Sequence, residues 1–279
     1  MYPVLFKFWI FEFHTYTVLM AGAFLLGVYL FFRRNERLAE PYNVTPMGAL
    51  WLFVGILAGS KIYYVLEYKE AADLLSVARF WEGGLVSYGG IIGGTVTAIA
   101  YLLYKRVPVL PVADLVVSYV PLCHAIGRLG CFFNGCCWGK PTNLPWGVVY
   151  PHDSALHRYL FHEQVAAGLI PADAVHAHAV HPTQLYESLG LFVTYLILCY
   201  LYPRRKHDGG ILLIYPVFYG ALRFAVEFFR ADPAHDFPGL QMRLSQGISL
   251  GLVIVGLIVY ITLRAYLPKR AAVETTEEG

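Results

Sequence analysis

GRLGCFFNGCCWGKPT, residues 127–142, is the stretch where a long apolar run beginning near Leu110 gives way to polar chain. A run of about 20 apolar residues is long enough to cross the hydrocarbon core of a bilayer, and the residues that end this one are unusual. Arg128 sits at or inside the membrane boundary, where an ionisable side chain is costly and marks a functional site by default. Gly127, Gly130, Gly135 and Gly139 remove side chains from the same stretch, which permits tight turns and close approach to the backbone. A guanidinium in a low-dielectric site with exposed amides nearby suits a phosphate. A plainer reading, in which the arginine snorkels to the headgroups and the glycines serve helix packing, stays open on this stretch alone.

Working outward, composition places the whole chain in a bilayer. Apolar residues make up 57% of it and charged ones only 14%, a balance that would be unusual in a soluble protein of 279 residues. The formal net charge of +2, with basic residues in short clusters rather than one patch, points to no nucleic-acid partner. The first apolar run is followed by arginines instead of a small-residue cleavage site, so the expectation is insertion through the chain's own helices.

Seven apolar segments have spanning length, at about 14–32, 47–66, 84–104, 110–129, 185–202, 210–229 and 246–267. The fold expected is an all-α integral membrane protein of about seven transmembrane helices, 14–267, with a small extracytoplasmic head at 131–183. Basic residues follow alternate spans: Arg33, Arg34 and Arg37; Lys105 and Arg106; Arg204, Arg205 and Lys206; Lys269 and Arg270. By the positive-inside rule these four places are cytoplasmic, which puts the N-terminus outside and the acidic tail, 268–279, inside. Residues 1–13, with Trp9, Phe11 and Phe13, read as an aromatic, partly amphipathic arm along the outer interface. The head is rich in histidine, including His152, His157, His162, His176, His178 and His181.

Several further residues stand out. Arg223 and Glu227 are one helical turn apart and read as a pair facing the protein interior, near Arg230 and the outer end of their span. Arg128 and Arg223, on different helices, are thus placed to converge on one anionic headgroup. EGGLVSYGGIIGG, residues 82–94, holds three glycine pairs around Tyr88. The glycines suit helix packing or an irregular segment beside a cavity, and the hydroxyl is a hydrogen-bond donor for a phosphate. HPTQLYE, residues 181–187, opens the fifth span with a proline near its first turn and with Gln184 among its hydrogen-bonding groups. Gln246 and Ser249 are polar at the start of the last span, and His14 and Tyr16 stand at the mouth of the first. Lys61 is a further cation inside a span.

Taken in order, Tyr16, SYGGIIGG, the core GRLGxFxNGxxWG, HPTQLYE and RFAVEFFR (residues 223–230) resemble the bacterial prolipoprotein diacylglyceryl transferases. The resemblance runs from about His14 to the last span. It implies an enzyme of the bacterial plasma (inner) membrane that moves a diacylglyceryl group from phosphatidylglycerol to the thiol of the lipobox cysteine in a prolipoprotein signal peptide, releasing glycerol phosphate. Arg128 and Arg223 then suit the growing charge on the leaving phosphate, with Tyr88 as a third catalytic candidate. Tyr16, Asn134, Gly139, Gln184, Glu227, Arg230 and Gln246 are candidates for contacts with substrate. The chain departs from the family where Tyr88 replaces a frequent histidine, Cys131 an asparagine, Cys136 a glutamate, and Val180 a frequent arginine. No cofactor is implied and no metal is expected, since Cys131, Cys136 and Cys137 fit no strong zinc template. The alternative function is a paralogous or non-catalytic membrane protein that binds anionic lipid headgroups, with a different acceptor or no turnover.

Overall fold

The computed structural model describes residues 4–8, 11–68, 86–150, 155–171, 173–231 and 244–263. Trp9, His152, Lys269, Arg270 and the acidic tail lie outside these residues. The helices are α1 (Thr15–Asn35), α2 (Pro46–Tyr68), α3 (Ser87–Tyr104), α4 (Val109–Asn134), α5 (Ala155–Ala166), α6 (Thr183–Leu201), α7 (Gly210–Glu227) and α8 (Leu244–Leu263). Among the described residues, six helices are long and apolar enough to cross a membrane, and α3 is a shorter apolar helix. Their outward faces carry large apolar side chains such as Leu25, Ile92, Leu196 and Val255. Contiguous greasy surface on this scale fits lipid rather than water as the surrounding solvent.

One element departs from the helical expectation. Val4–Phe8 (β1) and Phe11–His14 (β2) pair antiparallel, with Phe6 opposite Phe13 and Phe8 opposite Phe11. Aromatic residues at alternate positions give this arm a period of two, the pattern of a strand rather than a helix.

The chain divides into two compact units, Arg33–Val112 and the remainder, Met1–Phe32 with Ala113–Gly279. In the smaller unit, α2 and α3 cross through glycine on both sides. A Cβ on Gly59 would strike the carbonyl of Gly89 and lie 2.8 Å from the Cα of Gly93, while one on Gly55 would lie 3.0 Å from the carbonyl oxygen of Gly93. Each helix thus presents two glycines four residues apart, which lets the backbones touch where lipid supplies no hydrophobic drive for association. The glycine pairs of SYGGIIGG therefore serve packing inside a regular helix, the first of the two readings of this stretch, while residues 82–85 lie outside the described residues.

In the larger unit, Cys123 on α4 donates to the carbonyl of Ala23 on α1 at 3.2 Å, and Ser188 on α6 donates to that of Ala125 on α4 at 2.9 Å. Gly220 on α7 lets α8 approach, since a Cβ there would lie 2.8 Å from the Ser249 carbonyl oxygen. At one end Asp114, fully buried on α4, accepts the backbone N–H groups of Gly209 and Leu212 at 2.8 Å each. These are orphan donors at the start of α7, so the carboxylate caps that helix from a neighbouring one. Arg205 neutralises it at 3.2 Å and lies over the Tyr202 ring at 3.8 Å.

At the other end, α4 runs to Asn134, so Cys131 and Asn134 are helical residues and the polar chain begins at Gly135. Beyond it Trp138, Tyr150, Leu160, Phe161, Ala177 and Val180 form a small buried core between α4 and α6. Val180 is 1% exposed and bridges to both Pro141 and Val148, which suits an apolar residue at that position.

Candidate active site

The site lies where α4 and α7 end and α6 begins. Arg128 projects from the last turns of α4 and pairs with Glu187 of α6 at 2.9 Å. Arg223 pairs with Glu227 one turn along α7 at 2.8 Å, and Arg230, just past that helix, reaches the same carboxylate at 3.9 Å. Between the two pairs stands His124, one turn before Arg128. Its Nε2 is 4.0 Å from Glu187, its ring is 5.7 Å from that of Tyr219 on α7, and both Arg128 and Arg223 act on it electrostatically. His124 thus stands between Glu187 of α6 and Tyr219 of α7, and both Arg128 and Arg223 are largely but not fully buried, 17% and 18% exposed.

Counting His124 as neutral, three guanidinium groups face two carboxylates among the described residues of this cluster, leaving one net positive charge. Such a charge in a low-dielectric setting is tolerable when a further anion approaches. The buried Nε of Arg128 has no hydrogen-bond partner in the structure, so the guanidinium keeps donor capacity beyond its pairing with Glu187.

The other candidates are placed in several parts of the structure. Tyr16 opens α1 beside Gly130 of α4, where a Cβ would lie 3.1 Å from the tyrosine ring, and its hydroxyl feels Arg128 and all three neighbouring cysteines. Asn134 is the last residue of α4, two positions before Cys136 at the same mouth. Gly139 and Gln184, by contrast, hold the surrounding chain. Gly139 donates to the His181 carbonyl at 2.9 Å and bridges to Arg230, and a Cβ on it would sit 2.5 Å from the Phe229 carbonyl oxygen. Gln184, 1% exposed, donates to the Cys136 carbonyl at 2.6 Å and to the Tyr150 hydroxyl at 3.0 Å. Burial pushes the Tyr150 phenol up to about 12, so it stays protonated and serves as a strut. Gln246 is buried in the first turn of α8. Tyr88 belongs to the smaller unit, at the start of α3, with 71% of its side chain exposed.

Glu187 and His124 were not singled out from the sequence, although both stand inside the cation cluster. The structure also gathers Cys131, Cys136 and Cys137, whose sulfur atoms all lie within 4.8 Å of one another.

A sequence profile described as "Prolipoprotein diacylglyceryl transferase" matches residues 3–262. The chain belongs to that family. It is 32% identical over 263 residues to a phosphatidylglycerol–prolipoprotein diacylglyceryl transferase of Clostridium tetani, covering 93% of this chain and 97% of the relative. The correspondingly named proteins of Nostoc sp. and Clostridioides difficile are 33% and 31% identical, over 87% and 94% of this chain and 82% and 94% of their own lengths.

Proposed function

We propose that the chain transfers the diacylglyceryl group of phosphatidylglycerol to the thiol of a lipobox cysteine in a prolipoprotein signal peptide. The observation that carries this reading is the excess of guanidinium over carboxylate around His124. A phosphodiester has one negative charge, which matches the one unbalanced positive charge of the cluster. In the transfer a sulfur–carbon bond forms, the glyceryl carbon–oxygen bond breaks, the thiol proton is released, and glycerol phosphate leaves carrying more negative charge than the diester had.

Only interactions that strengthen as that charge grows accelerate the step. Arg128 and Arg223 are held by Glu187 and Glu227, so they need little reorganisation when the phosphate arrives. Arg230 adds to the same field, while Tyr16 and Asn134 line the mouth beside them. Tyr88 is exposed where a lipid can reach it, and its hydroxyl is a donor to a lipid oxygen. The enzyme lies in the bacterial plasma membrane with its N-terminus outside and its C-terminus in the cytoplasm.

Transfer from phosphatidylglycerol in liposomes to a lipobox peptide tests the assignment. Arg128→Ala and Arg223→Ala are each expected to lower the rate by about 10²–10³-fold, as the loss of one preorganised donor does, while the protein still inserts. Unchanged rates in both variants overturn the role given to the arginines. Headgroup binding without a thioether product would identify a binder instead of an enzyme.

A further inference from the structure

Cys131 closes the last turn of α4, and the chain then reverses so that the next two cysteines fold back against it. Gly135 and Cys137 both adopt positive φ, 76° and 63°. For a non-glycine residue that conformation is uncommon and is kept where the surroundings enforce it. The result is a triangle of sulfur atoms that all lie within 4.8 Å of one another, with the Cys136 thiol donating to the Cys131 carbonyl at 3.7 Å. All three are free and partly exposed, so the triangle is open to small solutes.

We propose that Cys131, Cys136 and Cys137 form a binding site for a thiophilic divalent cation of the zinc class, with one coordination position left open. A tetrahedral ion with sulfur at about 2.3 Å needs ligand sulfurs roughly 3.8 Å apart, so sulfurs within 4.8 Å close on it by small side-chain rotations. Three sulfurs also fit a metal better than a disulfide. Any disulfide leaves one thiol over, and the neighbouring pair Cys136 and Cys137 bridges only with strain. Coordination requires the thiols to give up their protons to solvent. Among the described residues no histidine or carboxylate joins the cluster, so the fourth position is left to water or an incoming ligand.

The test uses the purified full-length chain in detergent with a non-thiol reductant, titrated with Co2+ and then with Zn2+. One equivalent of Co2+ should produce thiolate-to-cobalt charge-transfer absorption, and one equivalent of Zn2+ should abolish it. Cys136→Ser and Cys137→Ser should each weaken binding by more than about a hundredfold, given that outer-shell changes alone cost 10–100-fold. Cys199→Ser, far along α6, should bind as the unaltered chain does. Absence of the charge-transfer band in the reduced, folded chain overturns the proposal, as does equal binding by the Cys136 and Cys199 variants. The readout needs neither lipid nor peptide, so its failure leaves the transferase reading intact.

Discussion

Arg128 and Glu187 hold each other in a place where neither is tolerable alone. The carboxylate is 1% exposed and the guanidinium 17%, at a contact of 2.9 Å. Removing one partner of such a pair strands the other charge, at a cost of about 3–5 kcal/mol. Glu187→Ala should therefore lower stability to thermal aggregation in detergent and also lower transfer, because Arg128 loses its anchor. Glu187→Gln, which keeps the shape but removes the charge, should lose nearly as much. Stability and transfer restored by Glu187→Gln would mean that the charge of Glu187 does not hold the arginine. Tyr88 is a milder case. If its hydroxyl gives one hydrogen bond to the lipid, worth about 1 kcal/mol, Tyr88→Phe should slow transfer roughly fivefold with insertion unchanged, as measured in the same liposome assay. The arginines were legible in the sequence because an ionised side chain in an apolar run has no ordinary explanation. Glu187 was hidden at the end of a helix-start motif, where polar residues already have a local use. His124 was hidden because a lone histidine among apolar residues carries no signal until its neighbours on α6 and α7 are known.

Helix ends and crossings obey the same rule, that a membrane element must satisfy its backbone and close its contacts without help from water. Asp114 does the first for α7, from a different helix. Asp114→Asn keeps the shape but removes the charge facing Arg205, whose side chain is only 2% exposed. It should destabilise the chain by a few kcal/mol, within the range for breaking a buried pair, and show as a lower temperature of aggregation. An unchanged temperature would mean that the amides of Gly209 and Leu212 suffice with a neutral acceptor. Sequence reading assigned Arg205 to a cytoplasmic basic loop, a position it shares with Lys206, but could not see that its charge is used inward. Spans were legible to within a few residues because length and hydropathy set them directly. The crossing of α2 and α3 was only half legible. The glycine pairs of α3 stand out as a cluster, whereas Gly55 and Gly59 gain meaning only when the facing helix is in place. The hairpin of the N-terminal arm was missed because its aromatics were read for interface affinity, not for their alternation.

At the scale of the molecule, sidedness decides whether the chemistry is possible. Under the proposed function the acceptor thiol belongs to an exported precursor, and the reaction then requires the arginine cluster to open on the outer face of the membrane. That cluster sits at the end of the larger unit where α4 finishes and α6 begins, while Asp114 and Arg205 mark the opposite ends of the same helices. The positive-inside rule, applied to the basic residues after alternate spans, leads to the expectation that the Arg205 end is cytoplasmic, and this expectation and the proposed reaction agree only if the chain between α4 and α6 is exported. Single cysteines placed in a background where the five native ones are serine can settle this with a membrane-impermeant maleimide. Leu169→Cys, in the exposed turn after α5, should label in spheroplasts with intact inner membranes. Lys206→Cys, in the exposed turn between α6 and α7, should label only after the inner membrane is permeabilised. The reverse pattern would place the guanidinium groups on the cytoplasmic side, away from any exported thiol, and would remove the proposed reaction even if every ion pair around His124 stood as described.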